Sequence, residues 1–336
     1  MGDTVFGRFS VAIVTPFCEA TVDENQSIDK EGLESVITHV ANKLEAARRG
    51  SDVVGGIIVS GSTGEQHTMT VEERIELYRL TVSAAKCYNV PVAAGVAATT
   101  THGAVKLAKA AVNAGCEGIM LGLPPYCRLL DEEIRAYITA VREAVGSSIP
   151  ILLYNNSMRN GYGPSLSLIA ELCRSGILWG VKHAPAPDVF MEQAQSLLEL
   201  EPRIRLYTGS DKMSVDLLSC GEQPRLMPSS QLPYPRFYGL TSIIGNLFPR
   251  QSAQMVCNLT SGDAAKVKLG ELAHAALLPV LDATLLGASL PAGLKYAMRN
   301  EGIGAGHTRL PVGFLSPEKQ REITDSLEGY HLAGKI

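Results

Sequence analysis

The chain has 336 residues, 46% of them hydrophobic and 19% charged, with a formal net charge of -4. That length and apolar fraction build a large core and exclude a disordered chain. The mild acidity offers no basic face to nucleic acid or an anionic membrane, and no apolar run reaches the roughly 20 residues that span a bilayer.

Read in order, Val11–Val14 is a first strand closed by Thr15-Pro16-Phe17, and Lys30–Leu44 is an amphipathic helix. Gly56–Ser60 is a second strand, followed at once by Gly61-Ser62-Thr63-Gly64-Glu65 and a helix from about Thr70 to Ala85, which Thr70 and Glu73 open as a capping box. Val90–Gly95 and Gly118–Leu123 are strands three and four, with the helix Thr101–Ala114 between them; Pro124-Pro125-Tyr126 and the helix Asp131–Val145 follow. Ile151–Tyr154 and Ile177–Lys182 are short apolar strands around the helix Ser165–Ser175, the pattern of a parallel βαβ unit. Arg205–Thr208 is a seventh strand before Gly209-Ser210-Asp211, and Leu240–Ile244 an eighth before Gly245-Asn246.

Eight strands separated by helices predict a (β/α)8 TIM barrel over residues 8–262. The alternative, a doubly wound open sheet, lacks a GxGxxG after any strand. From Asp263 the strands stop, and three predicted helices (Ala264–Leu286, Pro291–Arg299 and Pro317–Leu327) form a C-terminal helical region over 263–330. Residues 222–237 hold four prolines, which remove donors and mark a loop between a helix and strand eight. Such αβ loops face the end of a barrel away from its chemistry.

Chemistry gathers at the carboxyl ends of parallel strands, where Tyr154 and Lys182 both fall. A lysine closing a buried strand is desolvated, which lowers its pKa and frees the amine as a nucleophile; taken alone, Lys182 also fits a snorkelling side chain. Lys212 and Lys295 lie in predicted helices and are less well placed. Gly61–Glu65 turns tightly into a helix start, and its free N–H groups and two hydroxyls suit a small anion; it is not a nucleotide P-loop, since no Gly-Lys-Ser/Thr follows. No His/Cys/Asp cluster has metal-ligand spacing. The seven cysteines stand singly with no CxxC pair, which fits reduced thiols in a cytosol.

Together Val14-Thr15-Pro16-Phe17, the Gly-Ser-Thr-Gly-Glu turn, Pro125-Tyr126, Leu153-Tyr154-Asn155, Gly180-Val181-Lys182 and Gly209-Ser210-Asp211 resemble the dihydrodipicolinate synthase and N-acetylneuraminate lyase family of class I aldolases, from Phe9 to about Leu315. The resemblance implies a barrel that binds pyruvate or a 2-keto acid as a Schiff base, with an aldehyde as the second partner and neither cofactor nor metal. It implies a homotetramer or homodimer; the single cysteines place it in the cytoplasm, and the charge and hydropathy predict neither nucleic acid nor membrane as a partner. Lys182 would form the imine, and Tyr154 would shuttle protons and help hold the substrate carboxylate. Ser62 and Thr63 would bind that carboxylate. Tyr126 would line the substrate site, and Arg159 would bind a second carboxylate, although a surface arginine is the alternative. Asp211 would hold hydroxyls of a sugar-acid chain, a helix N-cap being its other reading.

The sequence departs from the family at Cys127, where synthases carry a second tyrosine, at His183-Ala184, at Ser157 and in the proline-rich insertion. We therefore expect aldol cleavage or condensation of a keto acid. The alternatives are a true dihydrodipicolinate synthase and a catalytically silent keto-acid-binding barrel.

Overall fold

In a computed structural model, which describes residues 5–19, 26–49, 51, 53–219, 237–285, 290–313 and 315–334, eight parallel strands close into a barrel in chain order, β1 pairing with β8. They are β1 (Phe9–Ala12), β2 (Val54–Val59), β3 (Val92–Val96), β4 (Gly118–Gly122), β5 (Ile151–Asn155), β6 (Gly180–His183), β7 (Leu206–Thr208) and β8 (Gly239–Ser242). The open-sheet alternative is thereby excluded. Between the strands run α1 (Lys30–Arg48), α2 (Val71–Lys86), α3 (Thr101–Ala114), α4 (Asp131–Val145), the short α5 (Ser157–Asn160), α6 (Leu166–Arg174), α7 (Phe190–Leu200) and α8 (Ser214–Leu218). After β8 come α9 (Pro249–Leu259), α10 (Ala264–Leu285), α11 (Leu290–Asn300) and α12 (Pro317–Ala333); α10 packs on both α9 and α12. Among the described residues no single helix is long and apolar enough to cross a membrane.

Two strand ends differ from expectation. β1 begins at Phe9, which pairs with both Val54 and Leu240, and has left the ladder by Ile13, whose N–H still reaches the Ile58 carbonyl. β8 stops at Ser242, and Ile244 to Asn246 form a 3-10 turn. Asn246 then joins the two ends, accepting from Val14 N–H at 3.1 Å and donating to the Ala12 carbonyl at 2.8 Å. In both cases the apolar run continues past the ladder, because it packs against the helices. The proline-rich stretch 222–237 lies, apart from Phe237, outside the described residues.

The strand period of two sorts the side chains into two cores. Ile57 and Val59 face the helices, whereas Ile58 joins Ala93, Met120, Leu152 and Tyr207 inside the barrel, with Phe6 and Val5 beside them. The same alternation places Leu153 and Val181 outward and Tyr154 inward. Lys182, one residue after Val181, therefore points inward from the last turn of a filled barrel. The capping box forms as expected: Thr70 N–H reaches Glu73 Oε2 at 2.8 Å, and Glu73 N–H reaches Thr70 Oγ1 at 3.2 Å.

Candidate active site

β5 and β6 pair so that Tyr154 stands directly beside Lys182. The Lys182 ammonium lies 4.6 Å from the centre of the Tyr154 ring. Lys182 is buried, and burial holds its pKa below the ordinary lysine value; Tyr154 and Asp211 pull it back up, while Arg159 pushes it further down. A larger share of free amine at neutral pH is the consequence.

For Tyr154, burial alone would raise the phenol pKa. The charges of Lys182 and Arg159, with hydrogen bonds from Asn156 and Ser62, outweigh burial and lower it. Asn156 Nδ2–H donates to the phenol oxygen at 2.7 Å. Each partner thus moves toward the form that lets a proton pass between them.

The Gly61–Glu65 turn follows β2, with Ser62 half-buried and Thr63 buried. It is bounded by two non-glycine residues in the left-handed region, Ser60 (φ 58) and Glu65 (φ 55). Arg74 of α2 holds one side, donating to Ser60 Oγ at 3.0 Å and to the carbonyls of Gly95 and Ala97 at 2.9 and 2.6 Å.

Asp211 sits just after β7, buried, and is not a helix N-cap by its side chain. Its two carboxylate oxygens accept from Ser242 Oγ–H at 2.6 Å and Ile243 N–H at 2.8 Å, and its carbonyl meets His274 Nε2 of α10 at 2.9 Å. Burial raises its pKa against those hydrogen bonds and the Lys182 charge. It stands as a fixed acidic neighbour of the lysine. Arg159 lies on α5, exposed, its backbone N–H capped by Asn156 Oδ1 at 3.1 Å. Its charge reaches Lys182 and Tyr154 from the mouth of the barrel.

Tyr126 is the residue that does not join this group. Its side chain is 98% exposed and its φ is 87, and a ring packed over the buried lysine would not be so open to solvent. Cys127 beside it is exposed as well. Two supports escaped the sequence, the buried pair Lys295–Glu65 at 2.6 Å and His274, and Gly209 of the Gly-Ser-Asp motif lies against the Lys182 side chain. For the ion pair, the Glu65 of the Gly-Ser-Thr-Gly-Glu turn was the visible signal, and its partner is 230 residues away.

The model of the dihydrodipicolinate synthetase family matches residues 5–329. The chain belongs to that family. Its members are class I aldolases working through a lysine Schiff base, and the chain is an enzyme of that lyase class, whose members use pyruvate and an aldehyde-type substrate. It is 30% identical over 318 residues to 4-hydroxy-tetrahydrodipicolinate synthase 1 of Halalkalibacterium halodurans, covering 94% of this chain and 95% of the relative. It is 28% identical over 319 residues to 4-hydroxy-tetrahydrodipicolinate synthase of Methanococcoides burtonii, covering 94% and 96%. Among solved structures, 4-hydroxy-tetrahydrodipicolinate synthase of Methylacidiphilum fumariolicum matches with a TM-score of 0.79 at 26% identity, over 97% of this chain and 96% of that one.

Proposed function

We propose that Lys182 forms an imine with pyruvate or a related 2-keto acid and that the enzyme makes or breaks an aldol bond next to it. The observation that carries this is the pairing of Lys182 with Tyr154 on adjacent strands. The free amine adds to the keto carbon, and the carbinolamine loses water to give a protonated imine. That cation draws electrons from the methyl carbon, which gives up a proton to become an enamine nucleophile. Tyr154 is placed to carry the protons of these steps, its phenol already shifted toward ionisation by Lys182 and Arg159. Ser62 and Thr63 supply hydroxyls and backbone N–H groups to the keto-acid carboxylate.

The second substrate is an acidic aldehyde, or the 4-hydroxy-2-keto acid that releases one. Arg159 at the mouth suits a distal carboxylate, since a guanidinium binds one through two parallel N–H groups. The names of the relatives favour the synthase reaction, in which pyruvate condenses with an amino-aldehyde and the product cyclises. Cys127 weighs against it, because a thiol is a poor relay for the added proton transfers. We favour simple aldol cleavage or condensation of a dicarboxylic keto acid.

The discriminating experiment compares kcat/KM for pyruvate with aspartate semialdehyde against pyruvate release from 4-hydroxy-2-oxoglutarate and from deoxy-sugar acids. Faster release from 4-hydroxy-2-oxoglutarate supports this reading; a clear win for the semialdehyde establishes the synthase instead. We also propose a cytoplasmic homo-oligomer, a tetramer or a dimer. The six described cysteines are free thiols, as a reducing compartment keeps them, and exposed Tyr126, Leu130 and Met158 are large apolar side chains that a second subunit can cover.

A further inference from the structure

Lys295 and Glu65 form an ion pair in which neither side chain has any exposure. The Lys295 ammonium spends its three N–H donors on three separate segments: the Thr15 carbonyl after β1 at 2.5 Å, Glu65 Oε1 after β2 at 2.6 Å, and the His307 carbonyl after α11 at 2.7 Å. Glu65 Oε2 accepts the Arg309 N–H at 2.9 Å. The Thr15 hydroxyl donates to the Gly64 carbonyl at 2.8 Å, and the Arg309 guanidinium holds Glu73 and the Thr68 carbonyl. The Gly61–Glu65 turn is therefore tied from behind to β1, to α2 and to the C-terminal segment.

Stability alone gives little reason for such a pair. Burying both charges costs several kcal/mol per ion, and an apolar pair of the same volume often stabilises as well or better. The backbone supplies another reason. Ser60 and Glu65 bracket the turn in left-handed conformations that non-glycine residues hold only when their surroundings impose them. The pair also keeps the buried Glu65 carboxylate neutralised at the end of that turn.

We propose that Lys295 is a positioning residue: through Glu65 it holds the Gly61–Glu65 turn in the shape that binds the keto-acid carboxylate. The proposal rests on the keto-acid reading above. An ordinary core lysine would lower stability when removed and leave affinity alone. A positioning lysine, when removed, weakens keto-acid binding and loosens the turn while the chemistry on Lys182 continues at saturation.

The test uses the full chain with Lys295→Met and, as a milder change, the nearly isosteric Thr15→Val, which removes only the hydrogen bond to Gly64. Two quantities are read: the pyruvate concentration that half-saturates borohydride trapping, and amide hydrogen exchange over residues 61–68 without substrate. We expect Lys295→Met to raise half-saturating pyruvate about tenfold with maximal trapping within about twofold of wild type, the pattern of lost uniform binding. Thr15→Val should shift it the same way by less. Exchange over 61–68 should rise in both while β5 and β6 stay protected. If Lys295→Met does not fold, Lys295→Gln, which keeps an amide donor but loses the charge, carries the comparison. Unchanged half-saturation and unchanged exchange in the folded variants overturn the proposal. Wild-type protein that traps no pyruvate sinks the Schiff-base reading instead, and the exchange comparison then still decides whether Lys295 holds the turn.

Discussion

Gly209 makes room for Lys182. A methyl group at Gly209 would stand 2.5 Å from the lysine Cε and 3.0 Å from its Nζ, so the lysine stem lies where any larger residue would place its Cβ. At the end of β7, beside the strand that carries the lysine, a side chain in place of the glycine would have to displace the lysine's amine end. Gly209→Ala should push the amine away from Tyr154. Displacement of a reacting group by about 1 Å costs about 10²-fold in rate. We expect kcat/KM to fall by about that factor with the circular dichroism spectrum unchanged; full activity in the alanine variant would show that the lysine adapts freely.

Tyr154→Phe keeps the ring against Lys182 and removes the proton carrier. General acid–base assistance is worth about 10²- to 10⁴-fold. The turnover number should drop by that range while borohydride trapping, given time, still reaches one adduct per chain. A loss below tenfold would assign the proton transfers to another group.

These two residues and their pairing were legible in the sequence, because chemistry in parallel barrels collects where strands end and each strand was marked by a short apolar run. The tight turn at Gly61–Glu65 after β2 was legible for the same reason. What holds it was not: Lys295 looks like any helical lysine, and nothing local says that it crosses to a residue 230 positions earlier. Asp211 was readable as an N-cap or a ligand, and only the fold brings Ser242 and Ile243 onto its carboxylate. The outward direction of Tyr126 in the single chain was not legible, because motif order says nothing about which way a loop residue with a positive φ points.

Arg159 should govern the acidic end of the second substrate. Hydrogen bonds to a charged group are worth about 1.5–3 kcal/mol, so Arg159→Met should lower kcat/KM for 4-hydroxy-2-oxoglutarate by about 10- to 100-fold. Imine formation with pyruvate alone should fall by less, through the lost charge on Lys182 and Tyr154 only. Equal losses for mono- and dicarboxylic substrates would remove Arg159 from this role.

His183, outward of Lys182, is fully buried and stacks on Phe190 with ring centroids 6.0 Å apart. Burial pushes its pKa from 6.5 down to about 4. Because the folded value lies below the unfolded one, the unfolded chain binds this proton first. The associated stability is complete above pH 6.5 and is lost as pH falls from 6.5 to about 4, amounting to about 3 kcal/mol. Denaturation free energies of wild type and His183→Gln, measured at pH 7, 5 and 4, should diverge at pH 7 and approach one another at pH 4. A difference that is constant with pH would mean that the His183 pKa is the same in the folded and unfolded chain.

The central claim is that Lys182 is the amine that holds the keto acid. Incubation with pyruvate and borohydride, then intact mass and peptide mapping, tests it directly. We predict one reduced pyruvate adduct per chain on the peptide carrying Lys182, and none in Lys182→Arg, which keeps the charge but cannot form the imine. An adduct that persists in Lys182→Arg, or maps to Lys212 or Lys295, would contradict the account.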